Sequence, residues 1–226
     1  MKPTVFLLHF AGGNKYSYQF LKPYLENFSV VSLELPGRGG RLREGLIDDL
    51  ELAALDIVDQ VLSHGELTNF IIYGHSMGAN LALKTVEILS TYKKFPNAIV
   101  VSGSPGPGIS IKKKRYLLSK QEFKMELMSI GGVPDEFWAD EELYDFFEPI
   151  LRADFKIAEN ADHIIFKSVS CPIYVIMGDQ EELSQYIDNW QQFTIDKAHS
   201  KILKGGHFFI HLHPEIVAQE INRSLL

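Results

Sequence analysis

Gly74-His75-Ser76-Met77-Gly78 sets one serine between two glycines, a spacing that can turn an ordinary hydroxyl into a nucleophile. The apolar run Asn69-Phe70-Ile71-Ile72-Tyr73 precedes it, and Ala79 to Leu89 continues with helical spacing. Strand, sharp turn and helix in that order lift a serine clear of a sheet. The glycines leave room where the neighbouring strand and helix approach the turn. Met77 then opens a helix, and its amide, at the positive end of the helix dipole, can donate to an oxyanion. The combination predicts a nucleophile at Ser76 with an oxyanion donor beside it.

A serine needs a base to take its proton, and the base needs an orienting acid. Among eight histidines the strongest is His207, in Gly205-Gly206-His207-Phe208-Phe209, after the last predicted strand and before the last predicted helix. His75 is expected to point away from the nucleophile and support the turn, and His9 to shape its own loop. His211 and His213 read as loop or cap residues, and His64, His163 and His199 as structural or surface residues. The acid belongs in Gly178-Asp179-Gln180-Glu181-Glu182. Asp179 is the only aspartate there, and aspartate is the commoner choice. Glu181 stands at the favoured third position after the glycine, so both remain candidates, with Glu182 behind them. A second oxyanion donor is expected from Leu8-His9-Phe10-Ala11-Gly12-Gly13, through the amide of Ala11 or Phe10. No Gly-Lys-Ser/Thr follows those glycines, so they do not read as a phosphate loop. Phe10 and Phe208, beside the oxyanion loop and the base, are the candidate substrate-binding side chains.

These groups need a scaffold to bring them together. Strand-like runs at Val5–Leu8, Ser29–Leu33, Phe70–Tyr73, Ala98–Ser102, Ile173–Met177 and His199–Leu203 alternate with helical patterns. The helical patterns cover Ser17–Tyr24, Leu50–Ser63, Met77–Ser90, Asp188–Phe193 and Pro214–Arg223. That alternation predicts an α/β fold, a mainly parallel central sheet with helices on both faces. The Ser, acid, His order along the chain is that of an α/β-hydrolase. From about 110 to 167 no buried strand is visible. Helical patterns at Lys120–Ile130, Asp140–Leu151 and Ala153–Ala161, broken by Gly131-Gly132-Val133-Pro134, read as a helical lid insertion above the nucleophile. Its apolar residues, Phe123, Leu127, Met128, Phe137, Trp138, Phe146 and Phe147, are in the main expected to form packed core, with a few facing substrate.

The 226 residues are 46% hydrophobic, enough for the core of one domain over 1–226. A net charge of −7 argues against nucleic acid as a partner. Lys112-Lys113-Lys114-Arg115 is the one dense basic run, read as a solvated loop or, less often, a docking patch for an acidic partner. Val5–Leu8 is too short for the apolar core of a signal peptide, and no run spans a bilayer. The expectation is a cytoplasmic protein without membrane contact. Cys171 is the only cysteine, so no intrachain disulfide and no cysteine-based metal site is expected.

Five segments in order carry a resemblance: Phe10-Ala11-Gly12-Gly13, Leu35-Pro36-Gly37-Arg38-Gly39-Gly40-Arg41, Gly74-His75-Ser76-Met77-Gly78-Ala79, Leu151-Arg152-Ala153-Asp154-Phe155 and Gly205-Gly206-His207-Phe208-Phe209. Together they resemble the type II thioesterases, stand-alone editing enzymes of nonribosomal peptide and polyketide synthesis. The resemblance implies hydrolysis of acyl or aminoacyl thioesters from the phosphopantetheine arm of a carrier protein, by a monomer with no metal or diffusible cofactor. Because carrier proteins are usually acidic, it also makes the basic run at Lys112–Arg115 a docking candidate. Two positions depart from the family pattern: His9 stands where a proline is usual, and no aspartate stands third after Gly178. A general carboxylesterase or lipase would use the same triad. A non-catalytic protein on the same fold would have lost one of its elements, and the unusual acid loop is the feature that favours that rival.

Overall fold

Alternate residues of the central strands enter two different cores, and this alternation builds the layers. The computed structural model describes residues 2–65, 67–133 and 135–225. Its strands are β1 (Thr4–Leu8), β2 (Ser29–Leu33), β3 (Phe70–His75), β4 (Ala98–Ser102), β5 (Ile173–Gly178) and β6 (Ala198–Leu203). They pair in the order β2-β1-β3-β4-β5-β6, and every ladder is parallel. Phe6, Leu8, Ile72, Val101 and Val175 pack on one face with α1 (Leu50–Ser63) and α2 (Met77–Thr91). Val5, Leu7, Ile71, Tyr73 and Ile176 pack on the other with Leu21 and with Val217 and Ile221 of α6 (Pro214–Arg223). Strands covered on both faces need apolar residues throughout, which is why they read as unbroken apolar runs.

Helix α1 shows how local sequence sets an element. Asp49 caps it by accepting a hydrogen bond from the Leu52 amide at 3.0 Å, and Leu50, Ala53, Ala54, Ile57, Val58 and Val61 form its buried stripe. Two expected helices differ from the structure. Gln19–Tyr24, in place of Ser17–Tyr24, and Ser184–Phe193, in place of Asp188–Phe193, are runs of 3₁₀ turns. In the second, Ile187, Trp190 and the half-buried Phe193 recur every three residues, the 3₁₀ period. Cys171 is buried in the first core, and burial pushes its thiol up to about 12.

The region between β4 and β5 is helical: α3 (Lys120–Ile130), α4 (Asp135–Ala139) and α5 (Glu141–Asn160). Ser119 and Glu122 form a capping box that starts α3. The two helices expected at Asp140–Leu151 and Ala153–Ala161 are one. Tyr144, Leu151, Asp154 and Ile157 keep a buried stripe running through Arg152, and the helix continues past Pro149. Pro134 of the expected break lies outside the described residues. Phe123, Leu127 and Trp138 form a separate small core with Tyr144 and Leu151, whereas Met128 and Phe146 are about half exposed. Ile157 and Ala161 join the main core and root the insertion in the sheet.

The basic run has a structural use. Lys113 pairs with Glu126 at 2.6 Å, and Lys114 donates to the Glu159 carbonyl at 2.8 Å. Arg115 pairs with both Glu126, at 3.1 Å, and Glu159, at 2.9 Å. Three of the four cations therefore fasten this segment to α3 and α5, while Lys112, Lys113 and Lys114 remain exposed.

Candidate active site

Ser76 has φ +57, in the left-handed region that a residue with a side chain avoids. The conformation is forced by crowding on both sides. A Cβ at Gly74 would lie 2.0 Å from the Gly78 carbonyl oxygen, and one at Gly78 would lie 2.4 Å from the Leu8 carbonyl oxygen. Only glycines let β1, β3 and the start of α2 meet here, and the Ser76 amide is held by the Ser102 carbonyl at 2.8 Å. The turn delivers Ser76 Oγ to His207 Nε2 at 2.9 Å.

His207 reaches the serine across 131 residues, on the loop that follows β6. Its Nδ1 faces Glu181 Oε1 at 2.7 Å, and Glu181 Oε2 accepts from the Gly178 amide at 2.7 Å. The longer glutamate arm lets one carboxylate fold back over its own turn and still reach the histidine. Asp179 does not touch His207. Its carboxylate accepts from the Gly205 amide at 2.9 Å and so ties the acid loop to the histidine loop. The two candidates for the acid are thus separated by geometry: Glu181 lies on His207 and Asp179 on the Gly205 amide.

The remaining histidines fall into place around this line. His75 is fully buried, with Nδ1 2.9 Å from Ser102 Oγ, and supports the turn as expected. Its ring nevertheless packs 4.9 Å from that of His207 instead of pointing away. Burial first, and then the charges of His207 and His211, hold its pKa well below the ordinary value, so it stays neutral beside His207. His213 bonds the Lys204 carbonyl at 2.7 Å, His211 stacks on Phe208, and His199 stacks on Tyr174.

On the other side of the serine, the loop after β1 turns tightly. The Gly13 amide donates to the Phe10 carbonyl at 2.9 Å, with Gly12 at φ +76. The amides of Ala11 and Met77 meet no acceptor among the described residues. His9 shapes this loop from below: Nδ1 donates to the Phe10 carbonyl at 2.8 Å, and Nε2 accepts from the Leu35 amide at 3.3 Å. Burial, with help from Arg38, lowers its pKa to about 4. The neutral ring is therefore part of the fold. Its contribution is complete above about pH 6.5 and is lost as pH falls toward about 4, because the unfolded chain takes up the proton first. We expect His9 to remove about 2 kcal/mol of stability between pH 7.5 and pH 5. Urea unfolding of His9→Gln at both pH values should show a shallower loss than the native chain; an equal loss would contradict the assignment.

Phe10 and Phe208 meet edge-on, with ring centroids 5.2 Å apart, and the Phe208 ring lies against Gly132 of the insertion. One arrangement has no local signal in the sequence. Arg38 and Asp154, both buried, form a two-point ion pair at 2.5 and 2.8 Å, and Asp154 Oδ2 also accepts from the Gly12 amide at 2.7 Å. Both residues stand in segments that carry the family resemblance, which is the one available pointer to them. Among the described residues no group of histidine, cysteine, aspartate and glutamate is arranged to hold a metal.

Residues 3–225 match the family model described as a thioesterase domain. The chain belongs to the thioesterase family. It is 29% identical to the gramicidin S biosynthesis protein GrsT of Aneurinibacillus migulanus, over 93% of this chain and 84% of that protein. It is 26% identical to thioesterase PikA5 of Streptomyces venezuelae, over 98% of this chain and 80% of that protein. Among solved structures, ClbQ from the colibactin pathway superimposes with a TM-score of 0.90 at 27% identity, covering 100% of this chain and 97% of that one. The RedJ thioesterase of prodiginine biosynthesis in Streptomyces coelicolor gives 0.91 at 25% identity, covering 99% and 90%. This thioesterase therefore has the α/β-hydrolase fold and is a thioester hydrolase, in accord with the resemblance carried by its motifs. No helix among its described residues is long and apolar enough to cross a membrane.

Proposed function

We propose that this thioesterase removes acyl or aminoacyl groups from the phosphopantetheine arm of carrier proteins, acting as an editing enzyme beside a peptide or polyketide synthetase. The single observation that carries the mechanism is the continuous line Ser76, His207, Glu181, with steps of 2.9 and 2.7 Å. His207 takes the Ser76 proton as Oγ attacks the thioester carbonyl, and Glu181 steadies the imidazolium. The amides of Met77 and Ala11 receive the oxyanion. The carbon–sulfur bond then breaks and His207 returns the proton to the leaving sulfur. In the second half His207 activates a water that cleaves the Ser76 ester, releasing a carboxylic acid.

The helices of the insertion are read as a lid: Phe208 lies against Gly132, and Leu151 lies over Gly12. Phe10 and Phe208 would then flank the acyl group. Every group in this scheme comes from one chain, which fits a monomer. The GrsT and ClbQ relatives belong to gramicidin S and colibactin biosynthesis, and this supports a carrier-bound substrate. The test compares an acyl-carrier thioester with a p-nitrophenyl ester of the same chain length. We expect kcat/KM to favour the carrier substrate by at least about 100-fold, or roughly 3 kcal/mol of transition-state binding. A preference for the simple ester would instead place the chain among general carboxylesterases.

A further inference from the structure

We propose that Asp154, locked by Arg38, is a positioning residue that selects the conformation of the oxyanion loop, so that a helix of the insertion completes the catalytic centre. This rests on the reading of Ala11 and Met77 as oxyanion donors. Phe10 to Gly13 form a four-residue turn closed by the bond from the Gly13 amide to the Phe10 carbonyl at 2.9 Å. Gly12, third in the turn, has φ +76 while Ala11 does not have positive φ, the pattern of a type II turn. Glycine at that place also permits type I, and the two forms differ by a flip of the peptide between Ala11 and Gly12. A flip would put the Ala11 carbonyl where the Gly12 amide now points and would release the loop that carries the Ala11 amide from its hydrogen bond to α5.

Asp154 decides between the two. Its Oδ2 accepts the Gly12 amide at 2.7 Å, and a carbonyl in that place would face a carboxylate instead. The carboxylate cannot swing aside, because Arg38 holds both of its oxygens, at 2.5 and 2.8 Å, with both side chains shielded from solvent. Arg38 also donates to the Gly13 carbonyl at 3.4 Å, so the pair grips the turn on two successive residues. Asp154 lies on α5, 142 residues from Gly12, and α5 also presses Leu151 onto the loop: a Cβ at Gly12 would lie 2.6 Å from Leu151 Cδ2. The position of α5 and the shape of the oxyanion hole are thereby set together.

The experiment measures Asp154→Asn, whose NH₂ group can hold a flipped Ala11 carbonyl as readily as its oxygen holds the Gly12 amide, and a double variant Arg38→Met/Asp154→Leu that replaces the buried pair by apolar side chains of similar bulk. Each is assayed on a small acyl thioester and titrated with two inhibitors. One is an alkylboronic acid, which forms a tetrahedral adduct with the serine. The other is the thioether analogue of the substrate, which mimics only the ground state. We expect kcat to fall about 100-fold, the scale of a misplacement near 1 Å, with KM within about threefold of the native value. The boronate Ki should rise by a similar factor while the thioether Ki stays unchanged. If Asp154→Asn does not fold, the double variant decides the question. Native kcat in a folded variant, or equal weakening of both inhibitors, would overturn the positioning role. Turnover within tenfold of native in Ser76→Ala would instead remove the serine mechanism, and with it the oxyanion reading on which the proposal rests, so the two failures are distinguishable.

Discussion

Replacing Ser76 by alanine should lower kcat for thioester hydrolysis by about 10⁶-fold, the scale seen when a serine nucleophile is deleted from a working triad. The loss should appear in kcat while substrate still binds, because the change removes one oxygen and leaves the acyl site intact. Folding should be unaffected. Alanine meets the same left-handed backbone as serine at φ +57, so the strain of the turn is unchanged, and the Ser76 amide keeps its bond to the Ser102 carbonyl. Steady-state kinetics together with a thermal melt separate these effects. A variant that melts like the native chain and retains turnover within tenfold would remove Ser76 from the mechanism.

The second large effect distinguishes the two acids. Glu181→Gln should reduce kcat by about 10³–10⁴-fold. A glutamine amide cannot stabilise the imidazolium, and its NH₂ group can hold the histidine in the wrong tautomer. Asp179→Asn keeps an oxygen that can still accept from the Gly205 amide, so its loss should stay within about tenfold. The comparison is direct because the two residues share one short loop and differ in what they touch. A severe loss in Asp179→Asn with a mild one in Glu181→Gln would reverse the assignment. A severe loss in both would mean that the tie between the acid and histidine loops matters as much as the acid itself.

What can be read from the sequence follows from how local each feature is. The strands and the turn at Ser76 are legible because their signals sit within a few residues: apolar runs for a doubly covered sheet, and two glycines where backbones touch. His207 is legible because its place relative to the last strand follows chain order. The acid narrows to two residues and no further. The choice depends on which carboxylate meets the His207 ring and which meets the Gly205 amide, and each partner lies 26 residues away. Ser184–Phe193 resembles an ordinary helix in sequence because a period of three and a period of 3.6 differ little over two turns. In the insertion, the buried stripe that carries α5 past Pro149 has the same pattern as two shorter helices. Arg38 and Asp154 stand in motifs whose sequence assigns them no role, since their pairing spans 116 positions. The use of Lys113, Lys114 and Arg115 as fastenings likewise depends on carboxylates and carbonyls far along the chain.

In the proposed mechanism the acyl group passes through an ester on Ser76. Rapid mixing with an acyl-carrier thioester, an acid quench and intact-mass analysis test it most directly. A transient species heavier by one acyl group should appear, mapped by peptide digestion to the segment that contains Ser76 and absent from Ser76→Ala. An acyl adduct on a different residue, or full turnover by Ser76→Ala without any adduct, would contradict it.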